Sequence, residues 1–366
     1  MGKVNNKLLL TVPCLQDPGG VSNFYNGVLP HFSQGKVLPL EIGGTKNSGG
    51  LLHSLVDQIR FRRAVKKEKP ALIHLNPSLD PKSFIRDGLL GWQTKQMGYP
   101  FLVFWRGWDK AFQAKIERKY MWFFRKTFGR ADGFIVLASE FERKLRDWGV
   151  SVPIFRETTC VAENLLVGFD VLEKWANDAR LSQIKILFLA RLEKAKGVFE
   201  TVQAVKLLLD KKFPVCLTIA GDGKIRQELE KYTRSLSLTP QQVLFTGDIR
   251  GNDKISALAE HHIYCFPTYY GEGLPNSVLE AMAFGMPVVT RAVGGLADIF
   301  EDGKMGALVQ GKSPEEIATC LEKIINDRNK MREIGRYNAR YAKEHFMASV
   351  VAKRLVRIYE STLGIC

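Results

Sequence analysis

Four side chains in the second half of the sequence have the types and spacing that phosphate and sugar chemistry require. Glu272 and Glu280 stand eight residues apart in the stretch GEGLPNSVLEAMAFGMP, residues 271–287, where a glycine-rich loop gives way to a helix. Gly271, Gly273 and Pro275 interrupt regular structure, whereas 277–284 have helical composition and stop at Gly285 and Pro287. The helix is therefore predicted to begin near Asn276. Its first backbone N–H groups lack intrahelical partners and the dipole there favours negative charge, so a diphosphate fits against this end. Carboxylates before and within the first turns can accept hydrogen bonds from sugar and ribose hydroxyls. The competing reading makes Glu280 a dipole complement and Glu272 a solvated loop charge. Upstream, the apolar run in IKILFLARLEKAKG, residues 184–197, ends at Arg191, and Lys196 and Gly197 open a helical stretch. Two cations thus flank a strand-to-helix turn.

The elements that must position these groups recur along the chain. Strand-like apolar runs fall near 7–12, 71–76, 101–105 and 133–137, and again near 184–189, 215–219, 243–246, 263–266 and 287–290, with helical patterns between them. This alternation predicts an α/β protein with parallel sheets covered by helices on both faces. A chain of 366 residues is too long for one ordinary core and suits two domains. Residues 167–182 lack strand alternation and are read as the linker between domains at 1–166 and 183–346. Ligands in such sheets bind beyond the carboxyl ends of the strands, so two facing sheets would create a cleft between domains. The GDG at 221–223 does not continue into a dinucleotide fingerprint, and neither does the turn holding Gly19 and Gly20. Those two adjacent glycines, just before a helical stretch, let a backbone approach a ligand closely.

Six cysteines without CxxC pairs argue against a zinc site and a disulfide framework. The net charge of +15 asks for an anionic partner: a membrane surface, a nucleic acid or a phosphorylated substrate. It is uneven, since residues 1–170 hold 25 Lys and Arg against 15 Asp and Glu. No apolar run nears the ~20 residues that span a bilayer, and no signal-peptide core is visible, so a cytoplasmic protein is expected.

The order of these motifs resembles the retaining nucleotide-sugar glycosyltransferases of the large group-one family (family four), which have the GT-B fold of two Rossmann-like domains. The resemblance implies that Arg191 and Lys196 bind the donor diphosphate and act in catalysis, that Glu272 contacts the transferred sugar, and that Glu280 holds the ribose. Gly273, Leu274, Pro275 and Asn276 would line the donor site, and the Gly19–Gly20 loop would reach donor phosphate or acceptor. It also implies that the last helix, within 347–366 and carrying an apolar stripe of Val350, Val351, Leu355, Ile358 and Tyr359, crosses back to the first domain. Two positions depart from the family pattern. Arg106 ends the strand PFLVFWRGWD where many relatives carry histidine, and a permanently cationic side chain cannot act as a base but can clamp a phosphate or carboxylate. TTCVAEN, from Thr158, stands in place of an Asn-Gly-Val-Asp pattern, which weakens any acceptor contact there.

On a helical wheel, Phe112, Ile116, Tyr120, Phe123 and Phe124 fall on one side, and Lys115, Arg118, Lys119, Arg125 and Lys126 on the other. Trp122 lies inside the basic arc, where an indole suits lipid headgroups. With the basic run at 59–69, this predicts peripheral attachment to an anionic membrane, the alternative being a solvated face over a core helix. No nucleic-acid module is visible and no nucleic acid is expected as partner. The expected function is transfer of a sugar from a nucleotide-diphosphate donor to a saccharide or lipid-linked hydroxyl, for surface polysaccharide or glycolipid synthesis. No Asp-x-Asp occurs, which fits a reaction without metal or other cofactor. The alternatives are a nucleotide-sugar epimerase or hydrolase on the same fold, and a non-catalytic nucleotide-sugar-binding scaffold.

Overall fold

The central strands β4 (Phe101–Phe104) and β5 (Gly133–Val136) are buried at every position, because helices cover both faces of their sheet and leave no room for a polar alternate residue. They belong to the first of two compact units in the computed structural model, which describes residues 7–17, 19–44, 51–176 and 182–365. The first unit comprises Met1–Ala162, Gly271–Leu274 and Ala348–Cys366; the second comprises Glu163–Tyr270 and Pro275–Met347. Cys366 and residues 177–181 of the expected linker lie outside the described residues.

In the first unit, β1 (Leu8–Val12), β2 (Val37–Glu41), β3 (Leu72–Leu75), β4, β5 and β6 (Ile154–Arg156) form one parallel sheet in the order β2-β1-β3-β4-β5-β6. Its helices are α1 (Gly20–Val28), α2 (Leu51–Glu68), α3 (Pro81–Gln96), α4 (Lys110–Lys115), α5 (Met121–Lys126) and α6 (Ser139–Asp147). In the second unit, α7 (Val171–Ala176) precedes β7 (Ile184–Leu189), α8 (Val198–Asp210), β8 (Val215–Ala220), α9 (Arg226–Ser235), β9 (Val243–Gly247) and α10 (Gly251–Glu260). Then come β10 (Ile263–Phe266), α11 (Asn276–Ala283), β11 (Val288–Thr290), α12 (Leu296–Ile299), β12 (Gly306–Leu308), α13 (Pro314–Asn326) and α14 (Arg328–His345). Its parallel sheet has the order β12-β11-β10-β7-β8-β9. Each chain path starts mid-sheet, winds outward one way and then the other. The reversals fall between β1 and β3 and between β7 and β10, where doubly wound sheets open a crevice for ligands.

The last helix, α15 (Ala348–Thr362), belongs to the first unit. The Ala348 N–H donates to the Val161 carbonyl at 2.9 Å, and Arg354 grips Glu157 through Nε at 2.6 Å and Nη2 at 2.7 Å. Val351, Leu355, Ile358 and Tyr359 are buried as the stripe requires, while Val350 is half-buried and Ala352 takes the interior place beside Val351.

Two expectations need correcting. Between α4 and α5 the chain takes a π turn, Ile116–Tyr120, in place of continuous α-helix. The wider turn rotates Tyr120 off the packed face, so it is exposed while Phe112, Ile116 and Phe124 are buried. The stretch expected as a linker carries α7, whose Trp175 is buried and donates Nε1–H to the Gly285 carbonyl at 3.1 Å. Beside it Lys174 Nζ donates to the Phe284 carbonyl at 2.8 Å, at the C-terminal end of α11, and burial pulls its pKa down to about 7.

Candidate functional site

The cations Arg191 and Lys196 follow β7, at the reversal of the second sheet. The residues around Arg191 are held by the loop after β8. A Cβ on Gly221 would sit 1.9 Å from the Ala190 carbonyl oxygen, and one on Gly223 would sit 2.2 Å from that of Leu192. The GDG sequence is thus a packing device that lets one loop lie on the backbone carrying Arg191, closed by a 2.9 Å hydrogen bond from the Leu192 N–H to the Asp222 carbonyl. Arg191 is 73% exposed at its side chain, with Nη1 3.3 Å from Glu193, an ion pair too solvated to hold it against a stronger anion.

Lys196 closes a short 3₁₀ turn, Lys194–Lys196. The carbonyl of Ala195 accepts from the Tyr269 N–H at 2.9 Å and from Thr268 Oγ1 at 3.3 Å, which ties this turn to the segment leaving β10. Lys196 Nζ lies 4.2 Å from the ring centroid of Tyr270. That same segment continues to α11, which begins at Asn276 behind Pro275, an N-cap residue whose ring offers no side-chain acceptor to the first amides. Phe284 and Gly285 end the helix where composition predicts.

Glu280 lies in α11 and is 5% exposed. Its Oε1 accepts from Lys254 Nζ of α10 at 2.7 Å. A carboxylate this buried needs such a partner, since breaking the pair would leave a charge uncompensated. Lys254 was not legible as a site residue, because it lies 26 positions away on another helix and no local pattern links the two.

Glu272 belongs to a different neighbourhood. Residues Gly271–Leu274 pack within the first unit, where a Cβ on Gly273 would meet the Arg106 carbonyl oxygen at 2.8 Å and one on Gly271 that of Trp108 at 2.9 Å. Thr159 Oγ1 donates to the Leu274 carbonyl at 3.3 Å, so the TTCVAEN segment braces this loop. Glu272 is therefore carried over the carboxyl end of β4, beside Arg106. The Arg106 guanidinium is buried against Phe24 and Phe104, 3.9 and 4.2 Å from their ring centroids. Burial holds its pKa below the usual arginine value, partly offset by Tyr25. Gly19 and Gly20 stand at the start of α1, about one turn before Phe24 and Tyr25, and a Cβ on Gly20 would meet nothing within 4 Å. Phe24, Tyr25 and Asn76, which shape this end of the sheet, carried no recognisable spacing.

Lys115, Arg118, Lys119, Arg125 and Lys126 are all exposed, and Trp122 is 61% exposed. No helix among the described residues is long and apolar enough to cross a membrane.

Two doubly wound parallel units with a returning terminal helix define the GT-B architecture. Solved structures of that kind align along almost the whole chain: the sucrose-phosphate synthase of Thermosynechococcus elongatus covers 98% of this chain and 100% of its own at a TM-score of 0.78 and 18% identity. Anabaena Alr3699/HepE in complex with UDP covers 97% of this chain and 100% of its own at 0.75 and 16% identity. Residues 172–341 match the family described as glycosyl transferases group 1. An uncharacterized glycosyltransferase of Methanocaldococcus jannaschii, MJ1069, is 27% identical over 259 residues, 68% of this chain and 64% of the relative. The capsular polysaccharide biosynthesis glycosyltransferase CapM of Staphylococcus aureus is 28% identical over 48% of this chain and 46% of its own length. The alignments thus span between about half and two thirds of these curated relatives. The second unit thus carries the likeness to the group 1 glycosyltransferases, and the fold of the whole chain is GT-B.

Proposed function

We propose that the chain transfers a sugar from a nucleoside-diphosphate donor to a hydroxyl acceptor with retention at the anomeric carbon. The observation that carries this reading is the convergence at the reversal of the second sheet: the Lys196 turn is hydrogen-bonded to the segment leading into α11, whose buried Glu280 is already oriented by Lys254. That group has a place for the diphosphate and one for the ribose of such a donor. Lys196, Arg191 and the first amides of α11 take the diphosphate. Glu280 Oε1 is occupied by Lys254, and Oε2 accepts from a ribose hydroxyl.

In the reaction the bond between the anomeric carbon and the diphosphate oxygen breaks, and its electron pair leaves with the diphosphate. Positive charge grows on the sugar ring, which a carboxylate at Glu272 favours. Negative charge grows on the leaving group, where fixed cations and helix amides stabilise it without a metal. The acceptor oxygen bonds the carbon on the face the diphosphate leaves, and its proton passes to a departing phosphate oxygen. Support for the donor class comes from the fold shared with a UDP-bound neighbour, and for a polysaccharide product from the likeness to CapM.

Proton NMR of the anomeric region during donor turnover tests this. The first product should carry the donor's own anomeric configuration, at a rate unchanged by EDTA. An inverted anomer would remove retention, and a sugar changed while still nucleotide-linked would make the chain an epimerase.

The proposed cytoplasmic-face attachment draws on α2, α3 and α5 of the first unit. Leu55 and Ile59 on α2, Ile85 and Trp92 on α3 and Trp122 on α5 are exposed large apolar residues. These helices adjoin: Gln58 Nε2 donates to the Arg86 carbonyl at 3.0 Å, and Gly88 of α3 admits the Phe123 ring of α5 so closely that a Cβ would lie 2.6 Å from it. Apolar tips amid exposed Arg62, Arg63, Arg125 and Lys126 suit an anionic bilayer surface. Flotation should carry the protein with phosphatidylglycerol vesicles and not with phosphatidylcholine vesicles, and Trp92→Ser with Trp122→Ser should weaken it several-fold. Equal flotation of that double variant would remove this face.

A further inference from the structure

Within the first unit, one cation lacks the partner that its burial demands. Arg106 is 7% exposed, and its Nε and Nη1 are buried without a hydrogen-bond partner. Glu157, a carboxylate whose charge acts on it, is already held by two bonds from Arg354. The Tyr25 hydroxyl, which donates to Asn76 Oδ1, accepts from neither of these nitrogens. Asn76 is in turn fixed by Nδ2 donating to the Thr11 carbonyl at 2.7 Å and by its own N–H donating to Thr11 Oγ1 at 3.2 Å. These contacts pin the ends of β1 and β3, at the reversal of the sheet, around a guanidinium that is stacked on aromatic rings and still short of an anion.

A buried guanidinium with two nitrogens left without an acceptor is costly, and its planar fork matches a carboxylate or phosphate. Its place strengthens the argument: the Gly273 backbone rests on the Arg106 carbonyl, so the loop bearing Glu272 crosses the same strand end, and the start of α1 leaves open space at Gly20. We propose that Arg106 is a specificity residue that binds an anionic substituent, carboxylate or phosphate, on one of the sugars handled by this enzyme. The inference rests on the glycosyltransferase reading and narrows its substrate class. A neutral sugar would leave the cation desolvated and unanswered; an anionic one supplies the missing acceptor.

Ligand affinities of wild-type protein separate the possibilities, with UDP alone as the control for the donor site. UDP-glucuronate is compared with UDP-glucose to test a carboxylate on the donor. Glucose 6-phosphate and free glucuronate are compared with glucose, in the presence of UDP, to test an anionic acceptor. At least one anionic sugar should bind ten-fold or more tightly than its neutral counterpart. Arg106→Gln should abolish that preference and leave UDP affinity unchanged, and Arg106→Lys should restore it in part. Equal binding of anionic and neutral sugars by the wild type would overturn the proposal, and needs no variant to fold. So would an Arg106→Gln protein that keeps the preference. If UDP does not bind, the GDP- and ADP-sugars take its place in the same comparison, and absence of binding by all three nucleotides would instead contradict the glycosyltransferase reading itself.

Discussion

Replacing Lys196 by alanine is expected to lower turnover by about 10²- to 10³-fold, as removal of one preorganised donor from a developing oxyanion does. The 3₁₀ turn that carries it is fixed through the Ala195 carbonyl, and Nζ stands over the Tyr270 ring, so the ammonium is positioned before any donor arrives. Its charge acts most strongly when the diphosphate gains its extra negative charge in the transition state. The loss should therefore fall on kcat more than on KM. Lys196→Arg should recover part of the rate, because charge returns with altered reach. Steady-state donor turnover checks this, and a Lys196→Ala enzyme with wild-type kcat would take Lys196 out of the role.

Gly221→Ala should be among the most damaging single-methyl changes in the second unit. Gly221 has φ +145°, a conformation that other residues rarely adopt, and the new methyl would overlap the Ala190 carbonyl. Backbone strain and overpacking together put the cost at about 3 kcal/mol or more, and the melting temperature should drop by several degrees. Relief requires residues 190–192 to move, so donor affinity should fall as well. Gly251→Ala is the milder contrast: its φ of +53° lies in the ordinary left-handed region and nothing lies within 4 Å of its added methyl. Calorimetric melting of both variants should show the larger drop for Gly221→Ala, and an equal drop in the two would show that neither the φ nor the fit against Ala190 sets Gly221 apart.

The interior strands could be read directly from sequence, since strands such as β4 and β5 are buried on both faces and need near-continuous apolar runs. The strands β2, β6 and β12 could not. They are edge strands in their sheets, short or half-exposed, and β2 even contains Pro39. The helix after Gly273 was legible because turn-forming and helix-stopping residues bracket it in sequence. Its partner Lys254 was not, because an ion pair between two helices leaves no periodic trace. The helical wheel placed Phe112, Ile116 and Phe124 correctly and failed at Tyr120, where a π turn breaks the 100° rule on which any wheel depends. Arg106 was visible as an oddity of residue type, whereas its orphaned nitrogens depend on what folds around it.

The most direct test of a nucleotide-sugar site in the second unit is saturation-transfer NMR with UDP-, GDP- and ADP-glucose against wild-type protein and Glu280→Ala. The site predicts saturation of ribose and base protons for one nucleotide, lost or strongly reduced in the variant, whose half-buried Lys254 no longer has its carboxylate. Undiminished transfer to Glu280→Ala would place the nucleotide elsewhere, and no transfer from any of the three would contradict the donor site.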